Sequence, residues 1–240
     1  MLRRHEMSLT ADLVALAHRN VIDSGPPLGF APLTDRDHDE RRDALLASHP
    51  KGRDLWLFAY GSLIWKPACE VDGQREALLR GWHRKFCLRL VRYRGTPDCP
   101  GLMMALDIGG FCRGVLQRIP AKHVEERLGQ LLRRETSVKP ASNLPRWVTV
   151  ESDGGRQRAI AFSINRKGPT YVGLHTIEET ADILARACGH WGSGAEYLMQ
   201  TVAHLEDLGI HDRYLWRLQE LVAQRIKAGA NGEALPVVVT

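Results

Sequence analysis

Trp147-Val148-Thr149-Val150-Glu151, then Ser152-Asp153-Gly154-Gly155, then Arg158-Ala159-Ile160-Ala161-Phe162-Ser163-Ile164 read as two strands around a tight turn. β-Branched and aromatic residues suit a pleated, half-buried surface, and Asp-Gly adopts the backbone conformations a hairpin demands. Ile108-Gly109-Gly110-Phe111 carries a similar turn signal between the apolar runs Leu102–Asp107 and Phe111–Ile119. Leu55–Tyr60 and Phe86–Val91 complete about six expected strands. Two hairpin signals predict antiparallel pairing, not a parallel sheet alternating with helices.

Helical periodicity appears between and after the strands. Residues 121–134 put Val124, Leu128, Leu131 and Leu132 on one face. Thr176-Ile177-Glu178-Glu179 is a capping box for a helix to about Ala187, with Ile177, Ala181, Leu184 and Cys188 facing inward. A further helix spans Gly194 to Leu208. Asp212 can cap a last one carrying Leu215, Leu218, Val222 and Ile226. The fold class predicted is α+β.

The chain has 240 residues, 44% hydrophobic and 25% charged, which excludes collagenous, low-complexity and fully disordered classes. Its longest uninterrupted apolar run, Leu55–Tyr60, is far too short for a membrane span. No apolar segment follows Arg3 and Arg4, so no signal peptide and no membrane partner are expected. The five cysteines are odd in number and form no C-x-x-C pair. That suits free thiols in the cytoplasm better than a disulfide framework. Neither an H-E-x-x-H nor a Cys/His knuckle is present, so no metal is expected.

Three segments are expected: an extension over 1–50, a main domain over 51–230 and a tail over 231–240. The first fifty residues hold 6 basic and 8 acidic side chains, against a balance of +7 in the remainder. Leu9, Leu13, Leu16 and Val21 suggest a short amphipathic helix, followed by the breaker cluster Ser24-Gly25-Pro26-Pro27 and the charged stretch Asp35–Arg42. The extension reads as a layer over the domain or a partly mobile segment, dispensable for chemistry in either case. Between Arg75 and Arg94 lie seven basic residues against Glu76 alone. Charge by itself leaves three readings open: a solvated face, an anionic small substrate or a nucleic-acid backbone.

Two features carry chemistry. In Phe58-Ala59-Tyr60-Gly61-Ser62-Leu63-Ile64-Trp65 an apolar strand runs into Gly-Ser, where backbone N–H groups can form an anion-binding nest and Ser62 adds a hydroxyl. Glu135 lies eleven residues beyond Val124, about 20° off the core stripe at 100° per residue, so a carboxylate continues a buried face. Burial raises a carboxyl pKa and makes a better base near neutrality. Arg133 and Arg134 offer the alternative of simple ion pairing. Glu126, half a helical turn away, is expected in solvent.

Together these residues resemble the ChaC-type γ-glutamylcyclotransferases. Arg94-Gly95-Thr96-Pro97 with Pro100-Gly101 resembles the family's R-G-T-P-x-x-P-G turn, Arg134-Glu135 its R-E pair, and Glu196-Tyr197-Leu198 its E-Y-L helix. The likeness spans roughly residues 54–225. Ala59 and Tyr93 stand where many members have Gly and His, and the Gly-Tyr pair after the glutamate is missing. The resemblance implies a small β-barrel or strongly curled sheet, largely antiparallel or mixed, with helices packed around it. It implies cyclisation of the γ-glutamyl group of glutathione to 5-oxoproline and Cys-Gly, with no cofactor. Glu135 is the implied base. Leu57, Phe58, Ala59, Tyr60, Gly61, Ser62 and Leu63, with Arg94 and Tyr197, are the implied substrate contacts.

Other readings stay open on the sequence: a γ-glutamyl-binding or regulatory protein without turnover, or a cyclotransferase for other γ-glutamyl amines. Trp82, Phe86 and Tyr93 are too few and too irregular for a single-strand stacking platform, so no nucleic acid is expected. The oligomeric state is not written in the sequence.

Overall fold

The computed structural model describes residues 6–173 and 175–232. From residue 233 the expected tail lies outside the described residues, as do residues 1–5 of the expected extension. The elements, in chain order, are α1 (Ala11–Ala17), β1 (Ala31–Pro32), α2 (Asp35–Leu46), β2 (Leu55–Ala59), β3 (Gln74–Leu90) and β4 (Gly101–Ile119). A 3₁₀ turn (Ala121–His123) leads into α3 (Val124–Glu135), followed by β5 (Val138–Lys139), β6 (Asn143–Ser152) and β7 (Gly155–Ile164). The chain closes with α4 (Ile177–Arg186), β8 (Cys188–Gly189), β9 (Gly192–Ser193), α5 (Gly194–Asp207) and α6 (Arg213–Ala230).

The described residues form two compact units: a barrel unit of residues 28–85 and 104–171, and a helical unit of residues 6–27, 86–103, 172–173 and 175–232. The expected α+β class and barrel hold. The sheet closes in the order β2-β4-β3-β6-β7, with β7 completing the circle on β2 through the parallel pair Leu57↔Ile160 and also meeting β4 at Leu106↔Ser163. Ser152↔Gly155 ends the β6–β7 ladder, which is the predicted hairpin. Gly155 takes φ +88°, a conformation that costs a glycine little.

Two strand expectations need correction. Gly109-Gly110 is not a hairpin turn. Both glycines have positive φ (112° and 61°), yet β4 runs through them as one strand of nineteen residues. They bend the strand beside the His83 ring, whose Nδ1 lies 3.0 Å from Gly109 O. A double-glycine signal is compatible with a bend as well as a reversal, because both need only positive φ. β3 begins twelve residues before the expected Phe86. The alternation buries Ala77 and Leu79, then changes phase past Gly81 (φ 79°) to bury Arg84, Phe86 and Leu88, and that slip among charged residues hid the strand.

The stripe of α3 is buried as its periodicity predicts, with Leu128, Leu131 and Leu132 at 0–1% exposure. Each such leucine contributes roughly 1.5–3 kcal/mol by leaving water. In the helical unit, Asp212 accepts hydrogen bonds from Tyr214 and Leu215 N–H, and Leu215, Leu218, Val222 and Ile226 are buried. The stripe expected near the N-terminus is out of phase. Leu16 is exposed while Val14 and Ala17 face inward, because Thr10 caps the helix and Leu9 lies before it begins. Residues 6–27 sit in the helical unit and 28–50 in the barrel unit, where Asp35–Leu46 form a helix capped by Thr34.

Close packing between β2 and β4 positions the end of β2. A Cβ on Gly114 would stand 2.5 Å from Ala59 O and 2.9 Å from the Phe58 ring. Gly114→Ala therefore forces these backbones apart. The expected cost is about 1–3 kcal/mol, read as a lower midpoint in urea unfolding. A midpoint equal to that of the parent chain would refute the close approach.

Candidate active site

β2 ends at Ala59, and the chain then makes one tight turn. Gly61 O accepts the Ile64 N–H at 2.9 Å, and Ser62 O accepts the N–H groups of Trp65 (3.2 Å) and Lys66 (2.7 Å). The N–H groups of Gly61, Ser62 and Leu63 have no protein acceptor among the described residues. Three consecutive donors on one turn form a partially positive surface suited to a carboxylate or an oxyanion.

Side chains from three elements hold this turn. Arg84 on β3 donates Nε to Tyr60 O at 2.8 Å and also bonds Arg113 O. Gln117 on β4 donates Nε2 to Leu63 O at 3.2 Å, and its Oε1 is a buried acceptor without a donor among the described residues. Tyr60 donates its hydroxyl to Phe162 O on β7 at 2.8 Å. Leu57, Phe58 and Ala59 are almost fully buried (2%, 0% and 0%). They are packed strand residues that bring the turn to its place.

Helix α3 holds the turn and the loop after it at two points. Arg127 pairs with Glu70 at 3.0 Å and Asp72 at 3.1 Å. Seven residues later, about 20° round the helix, Arg134 reaches the same loop. It donates Nη2 to Ser62 Oγ at 3.3 Å and Nη1 to Lys66 O. Its Nε lies 3.4 Å from Glu135 Oε1. One planar guanidinium thus links the serine hydroxyl, the turn backbone and the carboxylate.

Glu135 is the last residue of α3, and its side chain keeps 17% of its accessible surface. Burial pushes its carboxyl above the usual carboxylate range, and the neighbouring Arg134 charge opposes that rise. A carboxylate so placed is a proton acceptor poised nearer neutrality than an exposed one. Glu126 lies in solvent, its carboxylate 3.3 Å from Gln130 Nε2, as the helical phase predicts.

The structure brings the predicted residues together in two groups. In the barrel unit Ser62 and Glu135 both lie against the Arg134 guanidinium, with Tyr60, Gly61 and Leu63 on the turn that carries Ser62. Arg94 and Tyr197 meet in the helical unit, where the Arg94 guanidinium stands 5.4 Å over the Tyr197 ring. Arg94 also donates to Ser193 O and to Glu196 Oε2, both at 2.8 Å. The R-G-T-P turn and the E-Y-L helix are therefore joined through an internal ion pair. Tyr197 is 3% exposed and sets its ring edge-on to Phe86.

Sequence reasoning missed Arg84 and Gln117, and it gave Arg134 no task beyond ion pairing and its place in the R-E pair. A signal existed for two of them. Arg84 falls in step with Phe86 and Leu88 on β3, and Gln117 with Val115 and Ile119 on β4, all buried. Polar residues in a buried row need partners. An open groove of about 480 Å³ lined in part by Trp82, Arg146 and Trp147 holds none of these groups. Among the described residues no cluster of His, Cys, Asp and Glu could hold a metal ion, and no helix is long and apolar enough to cross a membrane.

A family model described as ChaC-like protein matches residues 55–225. The chain is 39% identical over 170 residues to the glutathione-specific gamma-glutamylcyclotransferase of Escherichia coli (strain K12), covering 70% of this chain and 73% of that protein. It is 28% identical over 177 residues to the glutathione-specific gamma-glutamylcyclotransferase of Schizosaccharomyces pombe, covering 66% of this chain and 86% of that one. In fold it is similar to the crystal structure of a gamma-glutamyl cyclotransferase specific to glutathione from yeast. That match has a TM-score of 0.65 and 22% identity, and covers 72% of this chain and 97% of the other.

Proposed function

The chain belongs to the ChaC-like family, and on that premise we propose that it is a γ-glutamylcyclotransferase acting on glutathione. The observation that carries the reading is the half-buried Glu135 carboxylate, coupled through Arg134 to the Gly61–Leu63 turn. The reaction is a ring closure. The substrate's α-amino nitrogen attacks its own γ-carbonyl carbon, and the bond from that carbon to the cysteine nitrogen breaks. The products are 5-oxoproline and Cys-Gly, and no atom is oxidised or reduced, so the ring closure calls for no redox cofactor.

Each group has a task in that reaction. The amine arrives as an ammonium, and Glu135 takes its proton. The carboxyl then returns a proton to the leaving nitrogen. The N–H groups of Gly61, Ser62 and Leu63 receive the charge that develops on the γ-carbonyl oxygen or hold the α-carboxylate. One such donor typically contributes about 3 kcal/mol to transition-state stabilisation. Arg84 and Gln117 keep the turn rigid, so the donors need no reorganisation during the reaction. Substrate contacts from Arg94 and Tyr197 rest on the resemblance alone, since Glu196 already pairs with Arg94.

Free thiols support a cytoplasmic setting. Much of the charge between Arg75 and Arg94 has internal partners: Arg80 meets Glu151, Arg92 meets Asp23 and Arg94 meets Glu196. That favours a small-molecule substrate over a nucleic acid. The test is to incubate the purified chain with glutathione and measure both products, expected in equal amounts. Binding of glutathione without 5-oxoproline would favour the binding-protein reading. Turnover of other γ-glutamyl amines alone would move the substrate assignment.

A further inference from the structure

Glu135 stands where a helix ends, and terminal residues of helices fray unless something holds the adjoining chain. The next residue, Thr136, bonds Leu132 O through both its N–H and its hydroxyl (2.9 and 2.7 Å), and the two-residue strand β5 begins at Val138. β5 takes no part in the barrel. Its ladder partner is β1, with Ala31↔Lys139 and Pro32↔Val138. Leu33 N–H adds a bond to Ser137 O at 3.0 Å.

The contacts continue past β1. Thr34 caps α2 in a reciprocal box with Asp37, and Asp37 also pairs with Lys139. Asp35 pairs with Arg133 at 3.1 Å, and α2 packs along α3. Residues 31–37 thus touch positions 133, 137, 138 and 139, on both sides of Glu135 in the chain. All of them lie upstream of residue 55, where the family match begins.

We propose that residues 31–37 are a positioning element for the catalytic carboxylate, supplied by the extension that reads from sequence as dispensable. The inference rests on Glu135 being the base. The segment touches no reacting atom; it fixes the backbone that aims the carboxylate. Exposed ion pairs add little stability singly. Here the pairs flank a backbone ladder, so their joint effect is on geometry. A displacement near 1 Å can cost about 10²-fold in rate, and partial loosening should cost less.

The test uses the full chain. Leu33→Pro with Asp35→Ala and Asp37→Ala removes the N–H to Ser137, both ion pairs and the capping box. The expected result is a kcat for 5-oxoproline release about ten-fold lower, with KM changed less than about two-fold. Hydrogen exchange at Thr136–Lys139 should rise. Ser48→Ala with His49→Ala is the control. These residues tie the far end of the same segment to Arg158 and Trp147. That variant should lose thermal stability while keeping kcat and the exchange of Thr136–Lys139.

Should the triple variant fail to fold, Asp37→Asn alone leaves the ladder in place and should still lower kcat about three-fold. A folded variant with unchanged kcat and unchanged exchange overturns the proposal. So does a kcat loss in the control as large as in the triple variant. If the parent chain releases no 5-oxoproline, the Glu135 reading fails instead. The exchange measurement then still decides whether residues 31–37 hold this segment.

Discussion

Glu135→Gln is expected to lower glutathione turnover by about 10²–10⁴-fold, the usual worth of a positioned general base. Gln keeps the shape and hydrogen-bonding capacity of the side chain and removes only the proton acceptor. Substrate affinity should change much less, since the carboxylate acts mainly in the transition state. Stability gives a second sign. Burial raises the folded-state pKa of Glu135 above its unfolded value. Its contribution to stability is then lost as pH rises from the unfolded pKa through the folded one. At neutral pH the Gln variant should therefore melt at the parent temperature or slightly above it. Glu126→Gln, on the solvent face of the same helix, should stay active. Near-full 5-oxoproline production by folded Glu135→Gln would sink the mechanism.

Arg134→Met carries the next largest effect, about 10²-fold in kcat. It removes the ties to Ser62 Oγ and Lys66 O together with the charge beside Glu135. The pH profile separates these losses. Arg134 holds the Glu135 pKa down against burial, so without it the pKa climbs further. The base must be deprotonated to act, and the acidic limb of kcat against pH should move to higher pH. Arg134→Lys restores a positive charge without the planar fork. It should bring the limb back towards the parent position while leaving much of the kcat loss. An acidic limb that stays put in Arg134→Met would show that this guanidinium does not tune the base.

Much of this arrangement was legible before any coordinates. The alternation in Trp147–Ile164 marked a hairpin because a strand's period of two is a local property of the chain. The same holds for α3, where counting residues at 100° each placed Glu135 beside the buried stripe and Glu126 opposite it. The strand running into Gly61-Ser62 marked the turn, because glycine and a short polar side chain follow from backbone needs alone.

What only the tertiary structure decided concerns which faces meet. Gly109-Gly110 bends a strand instead of reversing it, because positive φ is satisfied either way and the β3–β4 pairing selects the bend. A guanidinium in the sequence announces charge but not partner. Arg94 meets Glu196, Arg127 meets Glu70 and Asp72, and Arg134 meets Ser62, Lys66 and Glu135. Residues 31–37 are the clearest case. Composition and breakers describe them as an appendage, whereas β1 completes the ladder beside Glu135 from about a hundred residues away. Local periodicity is set by neighbours a few positions apart, so sequence alone reveals it. Contacts between distant segments depend on chain closure and face matching, and those exist only once the chain has folded.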